Sequence, residues 1–273
     1  MQRTYFYWLD LVRFLAAFMV MAGHARGDFF VSFGELPANQ QGILTTSFYF
    51  ITRLGQEAVL LFFVLSGFLV AGRGIENIGK NNFRVKSYSI DRIVRIMLPF
   101  IAAIIFALVI FSLTNKPIIL SQLIGNFFSL QGIFVDSMVG PFWSLAYEVW
   151  FYVLLGAVGA LLNNKANGIK TIIPILLMIV ALLVFTKLKA IYLIIWFIGG
   201  IFYFFRDNNI NKKIVWFLIP LIIITIGMLQ LSSDSKSFNT QTPFLDRNAL
   251  EVMLCILYCL VITKIIHLKP SKS

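Results

Sequence analysis

WLDLVRFLAAFMVMAGHAR, residues 8–26, is long and apolar enough to be read as one membrane-crossing helix, yet it carries Asp10, Arg13 and His24. Each helical step rotates about 100°, so Arg13 and His24, eleven steps apart, lie within about 20° of each other around the axis. Asp10 falls within about 60° of both. The three therefore share one stripe, with a cation near one end and an imidazole roughly 16 Å further along. Ionisable groups inside a bilayer are costly and usually face a bundle interior or a wet path, which points to a functional site. An Asp–Arg pair snorkelling to one interface, with a histidine at the other, explains the helix equally well.

Only 13% of the 273 residues are charged and 59% are hydrophobic. A soluble domain carries roughly 25% charged residues. The apolar residues come in long blocks, as membrane helices require. The expected class is all-α, a polytopic transmembrane helical bundle forming a single membrane-embedded domain over residues 1–273. About eight spans are expected, over 8–26, 54–72, 97–114, 142–162, 169–186, 189–205, 213–230 and 248–267. Segment 118–135 is apolar but broken by Gln122, Asn126 and Gln131, and reads as an interfacial or re-entrant helix. The net charge of +11 sits in short loops between spans, which excludes a nucleic-acid partner in favour of the lipid bilayer. Cys255 and Cys259, four apart in an apolar run, are expected to be core thiols and make no metal site.

Loop 73–95, with Arg73, Lys80, Arg84, Lys86, Arg92 and Arg95 against Glu76 and Asp91, is expected to be cytoplasmic. Loops 163–170 and 206–213 fall on the same side, and 27–53 and 231–247 on the other. Both termini are then cytoplasmic, Arg13 near the inner face and His24 near the outer. The basic hairpin 186–189, predicted outside, is the weak point of this topology. In the second span Ser66 and Gly67 read as packing residues, Ser66 bonding across helices or to its own backbone. Glu57 is less easily assigned to packing; it lies near the outer interface, where solvation is the simple alternative to a functional role. Arg92 and Arg95, if helical, are neighbours on one face, with Asp91 able to pair with Arg95. Guanidinium forks suit phosphate; ordinary positive-inside charge is the simpler reading of the pair. Ser144, Glu148 and Tyr152 follow i,i+4 spacing and share a face near Trp143. A carboxylate at that depth needs a partner, for which His24, Arg26 and Arg53 compete.

Four stretches taken in order, LDLVRFLAAFMVMAGH (9–24), LLFFVLSGFL (60–69), RIVR (92–95) before Pro99, and FWSLAYEVWFY (142–152), resemble the acyltransferase-3 family of polytopic membrane O-acyltransferases. Beyond residue 153 the resemblance is only hydrophobic. It implies an acyl-CoA donor, acetyl-CoA in the first instance, on the cytoplasmic side, and no permanently bound cofactor. The acceptor implied is a carbohydrate or glycolipid on the outer side. It further implies that Arg13, Arg92 and Arg95 hold the donor, that His24 is the essential histidine and that Glu148 is the family's acidic residue. Asp10, Trp143, Ser144 and Tyr152 are expected to line the substrate site. The family's usual count is about ten spans of roughly 20 residues each. With HLKPSKS (267–273) after the eighth, a member lacking the last helices is expected here.

The expected activity is transfer of an acyl group, acetyl first, to a hydroxyl of an extracytoplasmic cell-envelope glycan by a multi-pass protein of the bacterial cytoplasmic membrane. His24 would act as general base and Glu148 would orient it or stabilise its imidazolium. Two rivals are an exporter or transporter on the same scaffold, and an inactive shortened member acting only as a membrane partner. Homo-oligomerisation is left open.

Overall fold

In the computed structural model the described residues are 7–163, 169–208, 212–233 and 246–266. Among them there is no strand, and the protein is an all-α polytopic helical bundle. Twelve α-helices follow one another among the described residues: α1 Tyr7–Phe29, α2 Ile43–Thr52, α3 Gly55–Ser66, α4 Arg73–Gly79, α5 Val85–Arg92 and α6 Leu98–Leu113, then α7 Leu120–Phe127, α8 Trp143–Asn163, α9 Ile169–Lys187, α10 Ala190–Phe202, α11 Lys212–Ser233 and α12 Arg247–Ile265. Among the described residues six continuous helical stretches are long and apolar enough to cross a membrane: Trp8–Glu35, Ile43–Gly79, Val85–Leu113, Gly140–Asn163, Lys213–Leu231 and Arg247–Ile265. The other two expected spans are the shorter apolar helices Thr171–Lys187 and Ala190–Phe205. Apolar faces exposed along these helices, such as Ile105, Phe106 and Leu113 on α6, are what lipid covers in a multi-pass membrane protein. Loop 231–247 lies largely outside the described residues, as do residues 164–168 of loop 163–170.

Two compact units divide the chain, one made of 1–72 with 194–273, the other of 73–193. In the first, α1 packs along α3, and α12 covers α3 and α11. Gly23 makes the α1 crossing close, since a Cβ there would stand 2.9 Å from the Thr52 carbonyl oxygen. Gly27, its small-residue partner in sequence, has nothing within 4 Å. After α3 the chain continues as a π-helical segment, Gly67–Gly72. This segment and the last turns of α3 meet α10 through glycine on both sides. A Cβ on Gly67 would fall 1.9 Å from the Trp196 carbonyl oxygen, and one on Gly199 2.4 Å from that of Val64. Across the same contact Trp196 Nε1 donates to Ser66 Oγ at 3.1 Å. Ser66 and Gly67 are thus packing residues, as their types suggest.

In the second unit α8 is the axis, flanked by α9, α5 and α4. Its 21 residues rise about 31 Å, close to the roughly 30 Å of a hydrocarbon core. Phe151 stacks on Phe185 of α9 at 5.6 Å. The residues of loop 73–95 are mostly helical rather than loop. Helices α4 and α5 extend the neighbouring spans, and a short turn joins them. Asn163 fastens that turn, accepting from the Phe83 amide at 2.7 Å and donating to the Ile78 carbonyl at 3.0 Å. Of the basic residues there, Arg73, Lys86, Arg92 and Arg95 stand on helical segments and Lys80 and Arg84 in the turn, which charge counting cannot separate.

Segment 118–135 holds one helix of 8 residues, α7, and no span. The polar residues that break its apolar run are structural. Asn126, fully buried, donates to the Gln122 and Asp136 carbonyls and accepts from the Met138 amide. Gln131 donates to the Phe142 carbonyl at 2.9 Å, and Trp150 Nε1 to the Ser129 carbonyl at 2.9 Å. Trp150 therefore ties this cap to α8. At the same end of α8, Tyr147 Oη accepts from the Lys189 amide in the 186–189 hairpin at 3.0 Å. Cys255 and Cys259 are free and buried in α12.

Candidate functional site

The polar residues of the second unit converge where α5 crosses α8. Tyr88 and Arg92 are one turn apart on α5, and Glu148, Tyr152 and Gly156 succeed one another at i,i+4 on α8, so each set shares a face. Gly156 admits the Tyr88 ring, which a Cβ would meet at 3.2 Å. The Tyr88 hydroxyl donates to the Tyr152 carbonyl at 3.1 Å. One turn on, the Arg92 guanidinium carbon sits 5.4 Å from the centre of the Tyr152 ring. The Tyr152 hydroxyl donates to Glu148 Oε1 at 2.5 Å. A cation, an aromatic face, a hydroxyl and a carboxylate thus follow in line. Arg92 Nε and Nη1 are buried and have no hydrogen-bond partner among the described residues. Each such orphan donor costs about 1–3 kcal/mol. An anionic group at that edge would recover this, because the planar fork accommodates two oxygen atoms at once.

Arg92 and Arg95 do not share a face, contrary to the helical expectation. Arg92 is half-buried under Tyr152, while Arg95 is exposed. Nor does Asp91 pair with Arg95 among the described residues. The cause is the π-helical segment Ile93–Met97 that joins α5 to α6. A π turn bonds residue i to i+5, so the i+4 residue no longer stands over i. On α8, Ser144 Oγ turns back to the Pro141 carbonyl at 3.4 Å, so of the Ser144–Glu148–Tyr152 face only the last two are hydrogen-bonded to each other. Trp143 packs edge-on against Tyr147 at 5.7 Å and against Tyr192 at 5.9 Å.

The first unit holds the remaining expected residues. Asp10 and Arg13 form an i,i+3 ion pair at 3.4 Å. His24 is exposed on α1, beside the Gly23 that abuts Thr52 and Gly55. Arg26 stacks on the Tyr49 ring at 5.4 Å, with its Nε buried and without a hydrogen-bond partner among the described residues. Within the second unit, Glu148 is met by Tyr152, one turn along the same helix.

Glu57 departs most from expectation. It is 6% exposed, not solvated, because α12 packs over α3. Arg53 and Arg247 are the cations whose charge reaches it, with Glu251 as the nearby anion. Arg247 Nε pairs with Glu251 Oε1 at 3.3 Å, and Glu251 is 3% exposed. The sequence signal available was Arg247 and Glu251 at i,i+4 in an apolar helix, a pairing that stands out only once α12 is set against α3.

The helices and the ionisable side chains within them define a multi-pass membrane protein. The acyltransferase-3 family model, described as an acyltransferase domain, matches residues 6–272. The chain therefore belongs to the acyltransferase-3 family of membrane acyltransferases. That match extends well past residue 152, where the recognisable motifs stop, and takes in both units. An uncharacterized protein of Haemophilus influenzae is 32% identical over 143 residues, 46% of this chain. The aligned part spans 58% of that relative's length. No solved structure matches the chain.

Proposed function

We propose that this protein transfers an acyl group, acetyl in the first instance, from acyl-CoA on the cytoplasmic face to a hydroxyl of an extracytoplasmic glycan of the bacterial cell envelope. The observation that carries the reading is Arg92. Its guanidinium lies on the helix leading into a span, supported on the Tyr152 ring, with two buried N–H donors that have no hydrogen-bond partner among the described residues. A cation so arranged suits the phosphates of a coenzyme. Arg13 and Arg95 add positive charge on the donor side, Asp10 holds Arg13, and Trp143 and Ser144 flank the acceptor where α8 begins.

In this reading His24 takes the proton from the acceptor hydroxyl, imidazole being the most frequent general base. The acceptor oxygen attacks the thioester carbonyl and forms the new C–O bond. The C–S bond breaks, and the coenzyme thiolate leaves and takes up the proton that His24 carries. Glu148 is the acidic residue of this reading, its carboxylate oriented by the Tyr152 hydroxyl. The products are the ester and free coenzyme A.

The test supplies membranes containing the full chain with acetyl-CoA labelled in its acetyl group and follows label into the glycan fraction. The expected result is covalent transfer, lowered about 10²–10⁴-fold in His24→Ala. Export of glycan without label transfer, or His24→Ala acting like wild type, refutes the assignment.

A further inference from the structure

Tyr152 touches both ends of the polar line in the second unit. Its ring carries the Arg92 guanidinium and its hydroxyl donates to Glu148. Its backbone is fastened as well, through the Tyr88 hydroxyl on its carbonyl. We propose that Tyr152 is a positioning residue that couples donor capture at Arg92 to the orientation of the Glu148 carboxylate; the inference rests on the acyl-transfer reading above.

The two contacts need different parts of one side chain. A guanidinium lying over a ring keeps its N–H edge free, whereas one paired with a carboxylate would spend that edge. The ring thus holds the Arg92 guanidinium while leaving two donors for an anion. The hydroxyl occupies one carboxylate oxygen and fixes the rotamer, so the other is presented in a set direction. Gly156 contributes by its missing side chain. A Cβ there would stand 3.2 Å from the Tyr88 ring, so glycine lets α5 lie close against α8. When an anion draws on Arg92, the displacement is felt by the ring and, through the rigid phenol, by the hydrogen bond to Glu148.

Phenylalanine at 152 keeps the ring and loses the hydroxyl, whereas leucine loses both. Steady-state kinetics of the full chain in membranes, with labelled acetyl-CoA titrated, separate the contributions. For Tyr152→Phe we expect KM for acetyl-CoA within about twofold of wild type and kcat at least about tenfold lower, the range for a hydrogen bond to a charged group. For Tyr152→Leu we expect the same kcat loss and KM raised several-fold. If Tyr152→Leu does not fold, Arg92→Gln supplies the KM comparison. Wild-type kcat in Tyr152→Phe, or a KM rise in Tyr152→Phe equal to that of the ring-removing variant, overturns the inference and leaves the acyl-transfer reading standing. A wild-type chain that binds no acetyl-CoA and transfers no label overturns both.

Discussion

Gly67→Ala tests how closely the π-helical segment after α3 meets α10. The new Cβ would lie 1.9 Å from the Trp196 carbonyl oxygen, where ordinary contact begins at 3.4 Å. Both atoms belong to helical backbone, so no side chain can swing aside. The two segments must part by about 1.5 Å, which turns a close-packed crossing into an overpacked one costing roughly 1–3 kcal/mol. The same separation stretches the 3.1 Å Trp196–Ser66 hydrogen bond beyond bonding distance, forfeiting about 1 kcal/mol more. The sum is about 2–4 kcal/mol, or a fall in Tm of roughly 5–15 °C. Thermal unfolding of the full chain in detergent measures it, with Gly27→Ala as the comparison. Gly27 has nothing within 4 Å, so alanine there should be neutral or stabilising by up to about 1 kcal/mol. Equal Tm values for the two variants would refute the close-contact reasoning.

Glu57→Ala should destabilise by about 1 kcal/mol, because it removes the buried anion that faces the half-exposed, solvent-screened Arg53 and Arg247; a Tm equal to or above that of wild type would refute this. Asn126→Ala removes three hydrogen bonds at a fully buried position and should cost about 3 kcal/mol or more. Hydrogen exchange would then rise across residues 126–138 before the rest of the second unit, and uniform exchange would count against this assignment. His24→Ala, at an exposed position, should leave Tm within 1–2 °C of wild type, as surface substitutions generally do; a large drop would make its effect on transfer a folding effect.

The helices were legible because span length is a property of the chain alone. Runs of about 20 apolar residues must cross or leave the bilayer, and their satisfied backbone must be helical. The i,i+4 pair Glu148–Tyr152 was legible for the same reason, being local to one helix. The π-helical segment Ile93–Met97 was not, since it changes the face on which Arg95 emerges without any marker in residue type. Glu57 was misjudged for a different reason. Its depth along α3 is readable, but its burial depends on α12, nearly 200 positions later in sequence.

The charges inside these helices are handled in three physically distinct ways, and the differences bear on function. Asp10 and Arg13 pair along one exposed helix edge, a geometry generally worth a few tenths of a kcal/mol. The Glu57–Arg53–Arg247–Glu251 group is balanced in charge, with both carboxylates buried between α3 and α12 and Arg247 reaching the surface. Arg92 has neither solution. Its contact is the face of Tyr152, which stabilises the cation but accepts no hydrogen bond from its edge. A fold seeking stability alone would meet that edge with a carboxylate, and Glu148 is only one turn of α8 from the ring that Arg92 covers. Glu148 is instead engaged by the Tyr152 hydroxyl. Cation and carboxylate are thus joined through one tyrosine side chain, each on a different part of it.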